Sequence, residues 1–597
     1  MENDNRNYIA FAIVAFVMFF AYTSYSYFFI EPLARQAAAA KAKAAQTEQL
    51  VTTTAAAVHL SRPQALARSP RIVVDTPSLT GSISLVGARV DDLFLKNYHV
   101  DVAKSSPLVE LLSPAGMKDA YYAESGWLGA NLPGLPTDQT LWSVSSGQTL
   151  SPGHPVVLTY LDPNGLIFTR RLDVDAAAMF TITDTVANST AAPVTLTPYV
   201  SVKRIGLPEG LGKSNIVHEG AIGVLGVDAQ QLKLATYKDW KKKTEEDWQS
   251  KGGWLGITDK YWMTAFIPDQ SARVDAKIRI APGVDPSGDI YEAAYLTASR
   301  QIAPGRQIIE VSHLFAGAKT VPVLKGYAKD LHIPRFDDAV DWGILSFLTK
   351  PTFLLLDFFY QHVGNFGIAI LMLTVVIRLI TFPLANKGFE MGVKMKKIQP
   401  ELKELQARHK EDPAAQQKEM MALYAREKVN PVTGCLPVLF QIPVFYSLTK
   451  LFTVTIEMYH APFFGWIHDL SARDPTTFMN LFGLIPWDPG MTPLIGGILG
   501  GLLHVGVWPL AYGFSMWLSQ SMSPQTGIDP TQQMLFKLMP FLFTFILAQY
   551  AVGLLIYWTW SSLITIVQQY LMMRRFKVDN PIDDFLARFS GKREATG

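Results

Sequence analysis

A single cysteine, Cys435, occurs in the 597-residue chain, so no disulfide can close within it. It lies mid-chain in an apolar segment, where it is no N-terminal lipid anchor and reads as a small buried residue. A domain without disulfides must be held by its own core, which a chain of more than about 250 residues can supply. Charge is scarce too: Asp, Glu, Lys and Arg make up 17% of the residues, below the roughly 25% usual in soluble domains. The formal net charge of +2 is too small to point to a partner, so the information lies in where the charges sit. Signs of catalysis are equally thin. No HExxH occurs, and His99, His154, His218, His313 and His332 are scattered without metal-ligand spacing. GLPEGLGKS (206–214) evokes a phosphate loop but has Leu207 where the motif demands glycine. No cofactor, metal or catalytic residue is expected, and the chain does not read as an enzyme.

What the chain has in plenty is apolar sequence. Residues 8–30 are an uninterrupted apolar run, and 1–30 are expected as a retained transmembrane anchor. The leader MENDNRN lacks the positive charge of a cleaved signal. Residues 31–68, rich in Ala, Gln and Thr, read as a flexible tether. Then the texture changes. Ile83 and Leu85 alternate with Ser82 and Ser84, Phe180 and Ile182 with Thr181 and Thr183, Val194 and Leu196 with Thr195 and Thr197. Period-two spacing marks half-buried strands, and their number predicts a large β-sandwich over 69–335. DWKKKTEEDWQSK (239–251) is expected as a solvated helix or loop face. Residues 338–350 put Ala339, Trp342 and Leu345 at helical spacing, which predicts an amphipathic helix in the membrane interface.

The stretch 353–430 organises the rest. Residues 351–385 are expected as a second transmembrane helix, long enough for a hydrocarbon layer of roughly 30 Å. That helix carries Arg378 about 12 Å inside its Asn386 end. A guanidinium at that depth costs about 2.5–3.5 kcal/mol on insertion scales. Two readings stand on this span alone: the charge faces a wet cavity or a partner, or it snorkels to the headgroups. Residues 386–430 follow as a basic helical hairpin. Met391, Met395, Ile398, Leu402 and Leu405 recur at alternating four and three, and after Asp412-Pro413 a second helix brings Met420, Leu423 and Tyr424 back onto them. Its Lys and Arg, Lys396 and Lys397 among them, outnumber its acids. Residues 431–573 hold four more apolar segments, and 574–597 form a tail opening on Arg574, Arg575 and Lys577. With hairpin and tail placed inside by the positive-inside rule, six spans put both termini in the cytoplasm and the β domain outside.

Motifs around and after Arg378 carry a family likeness. VNPVTGCLPVLFQIPVF (429–445), WIHDLSARDP (466–475), QSMSP (520–524) and GLLIYWTWSSLITIVQQY (553–570) resemble the YidC branch of the YidC/Oxa/Alb membrane insertases. GWLGITDKYW (253–262) and FAGAK (315–319) extend the resemblance into the outer domain. The resemblance implies a polytopic α-helical membrane protein with five core helices around a hydrophilic groove. Gram-negative members add a first helix and a periplasmic β-supersandwich similar to sugar mutarotase domains. By motif, Arg378 is identified as the groove arginine, with Thr374 one turn away, Gln441 and Gln520 as groove glutamines and Tyr557 as a substrate-contacting tyrosine. Trp558 stands where the family often has a second tyrosine, which keeps an aromatic surface and loses a hydroxyl. Residues 490–503 are an insertion relative to the shortest members.

The implied function is an inner-membrane insertase and chaperone. Its implied partners are nascent membrane proteins, the Sec translocon, the ribosome, signal recognition components and the lipid bilayer. On that reading the groove lowers the desolvation cost of moving a polar stretch across hydrocarbon. Met391, Met395, Met420 and Met421 would give the hairpin adaptable apolar contact, while Lys396 and Lys397 suit acidic or ribosomal partners. The residues alone leave other readings open. Gln441 and Gln520 also read as interhelical glue, Tyr557 and Trp558 as interface aromatics, and the hairpin charges as a solvated face. A solute transporter binding an anion at Arg378 would show inverted repeats, and none is seen. A translocase scaffold would make the outer domain indispensable. A mutarotase-like fold would bring no sugar chemistry by itself.

Overall fold

The computed structural model describes residues 59–589, except 131, 209–210, 212–216, 284–287, 410–411, 430–435, 486, 488, 490–491, 493–502 and 523–529. The expected anchor, nearly all of the tether, much of 206–214, most of the 490–503 insertion and the end of the tail lie outside the described residues.

The β region forms two sheets, with eleven and nine strands among the described residues. In the larger, Val194–Ile205 lies between Tyr121–Leu128 and Ile290–Thr297. In the smaller, Met179–Asn188 lies between Leu166–Val174 and Gln307–Ala318. Alternation decides which side chains go inward: Phe180 and Ile182 are buried, Thr181 and Thr183 only partly. Side chains from both sheets fill one core. Two arginines inside it are paired, as buried charges must be. Arg170 bonds Asp184 at 2.8 and 2.7 Å, and Arg204 bonds Asp259 at 2.7 Å with its guanidinium 3.8 Å over Tyr121. The segment 239–251 departs from expectation. Tyr237–Lys242 is a short helix that buries Trp240, and Glu245–Lys251 is an edge strand on Arg273–Ala281. Glu246, Trp248 and Ser250 turn inward at alternate positions, a strand period that the surrounding charge concealed.

From the last strand the chain leaves through helix α1 (Val321–Asp330) and a 3-10 turn at Phe336–Ala339. The interfacial helix expected over 338–350 is not one element. Gly343, at φ 72°, turns the chain, and α2 (Ser346–Val363) starts beyond it. Lys350 reaches back to Asp337 and Asp338 at 2.8 and 2.6 Å, and Trp342 packs on Phe353, so the segment folds onto the helix it precedes. The span expected over 351–385 breaks as well. Gly364 ends α2 at φ 68°, and the Asn365 side chain accepts the Ile368 N–H to open α3 (Phe366–Lys397). A left-handed glycine followed by an asparagine cap is a stop-and-start signal inside the apolar run. The amphipathic element is therefore α2, which buries Thr349, Phe353 and Leu356 and exposes Phe347, Leu354 and Phe358.

The remaining helices are α4 (Gln399–Arg408), α5 (Pro413–Arg426), α6 (Leu436–Val454), α7 (Val507–Met522), α8 (Pro530–Leu547), α9 (Val552–Arg575) and α10 (Pro581–Phe589). Helix α3 packs on α2 and α9, and α7 packs on α8 and α9. Among the described residues α3 alone is long and apolar enough to cross a membrane by length and composition. Large apolar side chains nonetheless point outward: Leu379 and Ile380 on α3, Phe514 and Trp517 on α7, Leu538 and Phe541 on α8. So much exposed hydrocarbon suits lipid rather than water.

Sandwich and helices share a second core. Phe336 meets Trp254 and Phe315 edge-on at 5.3 and 5.5 Å, and the cluster continues through Trp342 and Phe353 to Ile370, Leu448 and Leu555. Two polar contacts fix its rim. Lys450 of α6 donates to Asp341 at 2.6 Å, and the same carboxylate oxygen accepts the His218 N–H at 2.8 Å. Glu457, just past α6, accepts the Val321 N–H at the start of α1 at 2.7 Å. Burial lifts the Glu457 carboxyl from 4.5 to about 7.

Lys450→Met leaves Asp341 without its cation and is expected to cost about 3–5 kcal/mol, read as a lower Tm in detergent; adding Asp341→Asn should recover part of the loss. Glu457 gives a pH signature. Its folded carboxyl keeps a proton that the unfolded chain releases as pH rises from 4.5 towards 7. The stabilisation it contributes is complete below that window and lost across it, by at most about 1.4 kcal/mol per pH unit. Melting curves of Glu457→Gln should lack this component between those limits.

Candidate functional site

Arg378 lies on α3 where that helix packs against α9. Its Nε donates to Ser561 Oγ at 2.8 Å, and Nη2 reaches the same hydroxyl. The guanidinium is thus directed across to the neighbouring helix, not along α3 to the headgroups. Among the described residues no carboxylate lies within ion-pair reach of it. Tyr557 stands one turn before Ser561 on α9 and is fully buried. Gln441 Nε2 of α6 approaches the Tyr557 hydroxyl at 3.5 Å, the outer limit of a hydrogen bond. Trp558 lies flat on Phe445 of α6, ring centroids 5.0 Å apart and planes 3° from parallel, with Tyr512 and Tyr550 at 5.7 and 5.9 Å. Arg378, Gln441, Tyr557 and Ser561 therefore form one polar seam where α3, α6 and α9 meet, bordered by aromatic rings.

Ser447 and Thr449 of α6, and Trp558 Nε1 and Thr559 of α9, are buried without a hydrogen-bond partner among the described residues. In a dry interior each such group costs about 1–3 kcal/mol.

Thr374 and Gln520 are not among the residues that touch Arg378 in the bonds described above. Thr374 is wholly buried and its Oγ1 donates to Ile370 O of its own helix at 2.7 Å, so it belongs to packing and not to a wet wall. A threonine at mid-helix satisfies its hydroxyl this way when no better partner faces it. Gln520 is next to Ser519, which donates to Gln569 two turns beyond Ser561, at 3.2 Å. Gln568 donates to Asn386 at 2.6 Å. The Ser519 hydroxyl and the amides of Gln569, Gln568 and Asn386 form a second polar level between α3, α7 and α9. Ser561, Gln568 and Asn386 were not anticipated from the sequence. The signal for Ser561 was its spacing, four residues after Tyr557 on the same helix face.

In the hairpin, Met395, Ile398, Leu402 and Leu423 form a small core with Met420 packed against it. Met391 is half-buried and Met421 exposed, so the expected methionine surface reduces mainly to Met421. Lys396 donates to Asp579 O at 2.8 Å, and Lys397 lies 5.9 Å over the Phe576 ring. Both lysines thus engage the tail that follows α9. The hairpin's first strand of core residues continues α3 without a break at Asn386.

WIHDLSARDP closes the opposite end of the bundle. Asp474 accepts the Trp508 N–H at 2.8 Å and Thr476 Oγ1 the Val507 N–H at 3.0 Å, at the first turn of α7. Leu470 and Ala472 carbonyls accept the Gly553 and Val552 N–H groups at 3.0 and 2.7 Å, at the start of α9. One loop satisfies the N–H groups that two helices leave open. Gly506 is needed there because a Cβ would come within 2.6 Å of the Asp474 carboxyl carbon. No group of three or more metal-ligating residues occurs among the described residues.

Comparison with known proteins places the chain. The family described as YidC periplasmic domain matches residues 71–355, and the family described as 60Kd inner membrane protein matches 358–580. The membrane protein insertase YidC of Caulobacter vibrioides (strain NA1000 / CB15N) is 52% identical over 99% of this chain and 99% of its own length. That of Caulobacter sp. (strain K31) is 51% identical over 100% of both. A crystal structure of an active YidC insertase is 16% identical and covers 86% of this chain and 93% of its own, with a TM-score of 0.35. The sequence relatives carry the assignment.

The site geometry separates volume from hydrogen bonding at Tyr557. Tyr557→Phe keeps the ring and removes the hydroxyl beside Gln441, Ser561 and Arg378, and is expected to change stability by about 1 kcal/mol. Tyr557→Ala empties a fully buried position and should cost about 3–5 kcal/mol. Thermal unfolding in detergent distinguishes the two.

Proposed function

The chain belongs to the YidC family of membrane protein insertases of the bacterial inner membrane, and from that premise we propose that the Arg378 seam is the groove through which it works. Nascent membrane proteins are its substrates, and it is not an enzyme. The observation that carries the groove reading is a buried cation held by one hydroxyl, with no carboxylate within ion-pair reach among the described residues. Such a site resists dry packing, since each polar group there loses hydration without gaining a partner. Water admitted from the cytoplasmic side would satisfy those groups and shorten the hydrocarbon a polar tail must cross. Arg378 would draw acidic residues of the incoming segment, and the membrane potential assists negative tails. The apolar part of the client would pass to lipid along the exposed faces of the helices. The outer loop at 466–476 keeps the far end shut.

In this reading six spans place both termini and the α4–α5 hairpin in the cytoplasm, with the sandwich in the periplasm. The hairpin would receive the client, through Met421 and its remaining basic residues, and meet the ribosome or signal recognition components. The Sec translocon would share clients that need more than one span. Thr374 supports the wall from behind, while Gln441, Tyr557 and Ser561 line it and Gln520 lines its inner end.

Arg378→Lys keeps the charge and loses the planar fork. In proteoliposomes, insertion of a client with an acidic tail should fall with Arg378→Lys and fall further, by about tenfold, with Arg378→Ala; a neutral-tailed client should suffer less. Equal insertion by all three proteins sinks the groove reading. A photocrosslinker at position 441 should capture a stalled nascent membrane protein, and one at position 374 should not.

A further inference from the structure

We infer that the outer loop at 478–487 is a separate membrane contact, a knuckle seated in the outer leaflet of the bilayer. Phe478, Leu481, Phe482, Leu484, Ile485 and Trp487 are all exposed, Leu484 at 83%. The backbone holds them out. Leu481 and Phe482 sit in the left-handed region at φ 51° and 59°, which residues with large side chains rarely adopt. Asn480 ties the turn: its Oδ1 accepts the Gly483 N–H at 2.9 Å, its Nδ2 donates to Trp487 O at 3.2 Å, and its carbonyl accepts the Ile485 N–H at 3.1 Å. The Phe482 N–H bonds Thr477 O at 2.8 Å. Backbone groups bonded within the turn, with large apolar side chains held outward, are what hydrocarbon demands of a loop.

Placement and composition choose the occupant. No charged residue occurs from 475 to 487, while Phe and Trp are frequent, the make-up of an interfacial anchor. The Phe478 N–H bonds Val505 O at 3.0 Å, and Asp474 holds the first turn of α7, so the loop is fixed where that helix begins. Leu510 and Phe514 are exposed further down α7, the helix at whose start the loop is fixed, so the lipid-facing side of the bundle begins at that end. The knuckle thereby holds the closed end of the bundle at a set depth in the membrane. This inference rests on the six-span topology proposed above and not on the groove, so Arg378 variants should leave it unchanged.

The test uses full-length protein with Cys435→Ser, in vesicles of phosphatidylethanolamine and phosphatidylglycerol. A single NBD label is placed at Leu484→Cys, at Leu161→Cys on the exposed sandwich surface, or at Leu379→Cys on the outward face of α3. The label at 484 should emit to the blue of that at 161 and be quenched by aqueous iodide about threefold less. Doxyl groups high on the lipid chain should quench it more than groups at the chain end, with the reverse order at 379. Iodide quenching equal to that at 161, or a blue shift that appears only when a client or partner protein is added, overturns the proposal.

Discussion

Trp254, Phe315 and Phe336 meet where sheet gives way to helix, and the apolar core they start runs on to the heart of the bundle. That junction sets everything downstream. It seats α1 against the sandwich, brings Trp342 onto α2 and positions α6 through Leu448 and Leu451. Burial of this kind is non-directional, so it fixes proximity and leaves orientation open. Orientation comes from the few polar bonds at its rim. The Asp341–Lys450 pair and the Glu457 contact with α1 each join the outer domain's exit to the end of α6. An exported sandwich on a loose linker would tumble; here it is continuous with the helices.

The bundle treats its polar groups unequally. At one end, a loop of ten residues spends its carbonyls and carboxylate on the open N–H groups of α7 and α9. At the other level, Gln568 of α9 donates to Asn386 of α3, and Ser519 of α7 donates to Gln569 of α9. Arg378, on α3 where it meets α9, has a lone hydroxyl, and four further groups on α6 and α9 have no partner among the described residues. Natural interiors satisfy nearly all buried polar atoms, so each of these exceptions carries a cost that the rest of the packing must offset.

Much of this was readable in the chain, and the misses share a cause. Strand periods at 179–188 and 194–205 were legible because one face of each strand is wet, so composition alternates. The edge strand at Glu245–Lys251 was not, since charge sits on both of its faces. The stretch 351–385 reads as one span by hydropathy, yet Gly364 and Asn365 divide it; local backbone chemistry outranked the apolar run. At the site, Arg378 stood out because charge in an apolar span is costly. Its partner Ser561 did not, because one serine in a helix carries no such penalty and only the packing of α9 on α3 reveals it. Thr374 shares a helix face with Arg378 in the sequence, but a turn of helix was enough to carry it from the seam into the packed interior.

Helix α3 runs unbroken for 32 residues, from its asparagine cap past Arg378 to Lys397 at the base of the hairpin. At 1.5 Å per residue it is a rod of about 48 Å. Pro383 stands in that shaft between Arg378 and the hairpin, and it removes one backbone bond there, so the helix is continuous yet carries a bend point. A load on the hairpin reaches the guanidinium only through that proline. Residue 383 is thus the hinge pin at which docking and charge placement are either geared together or let slip.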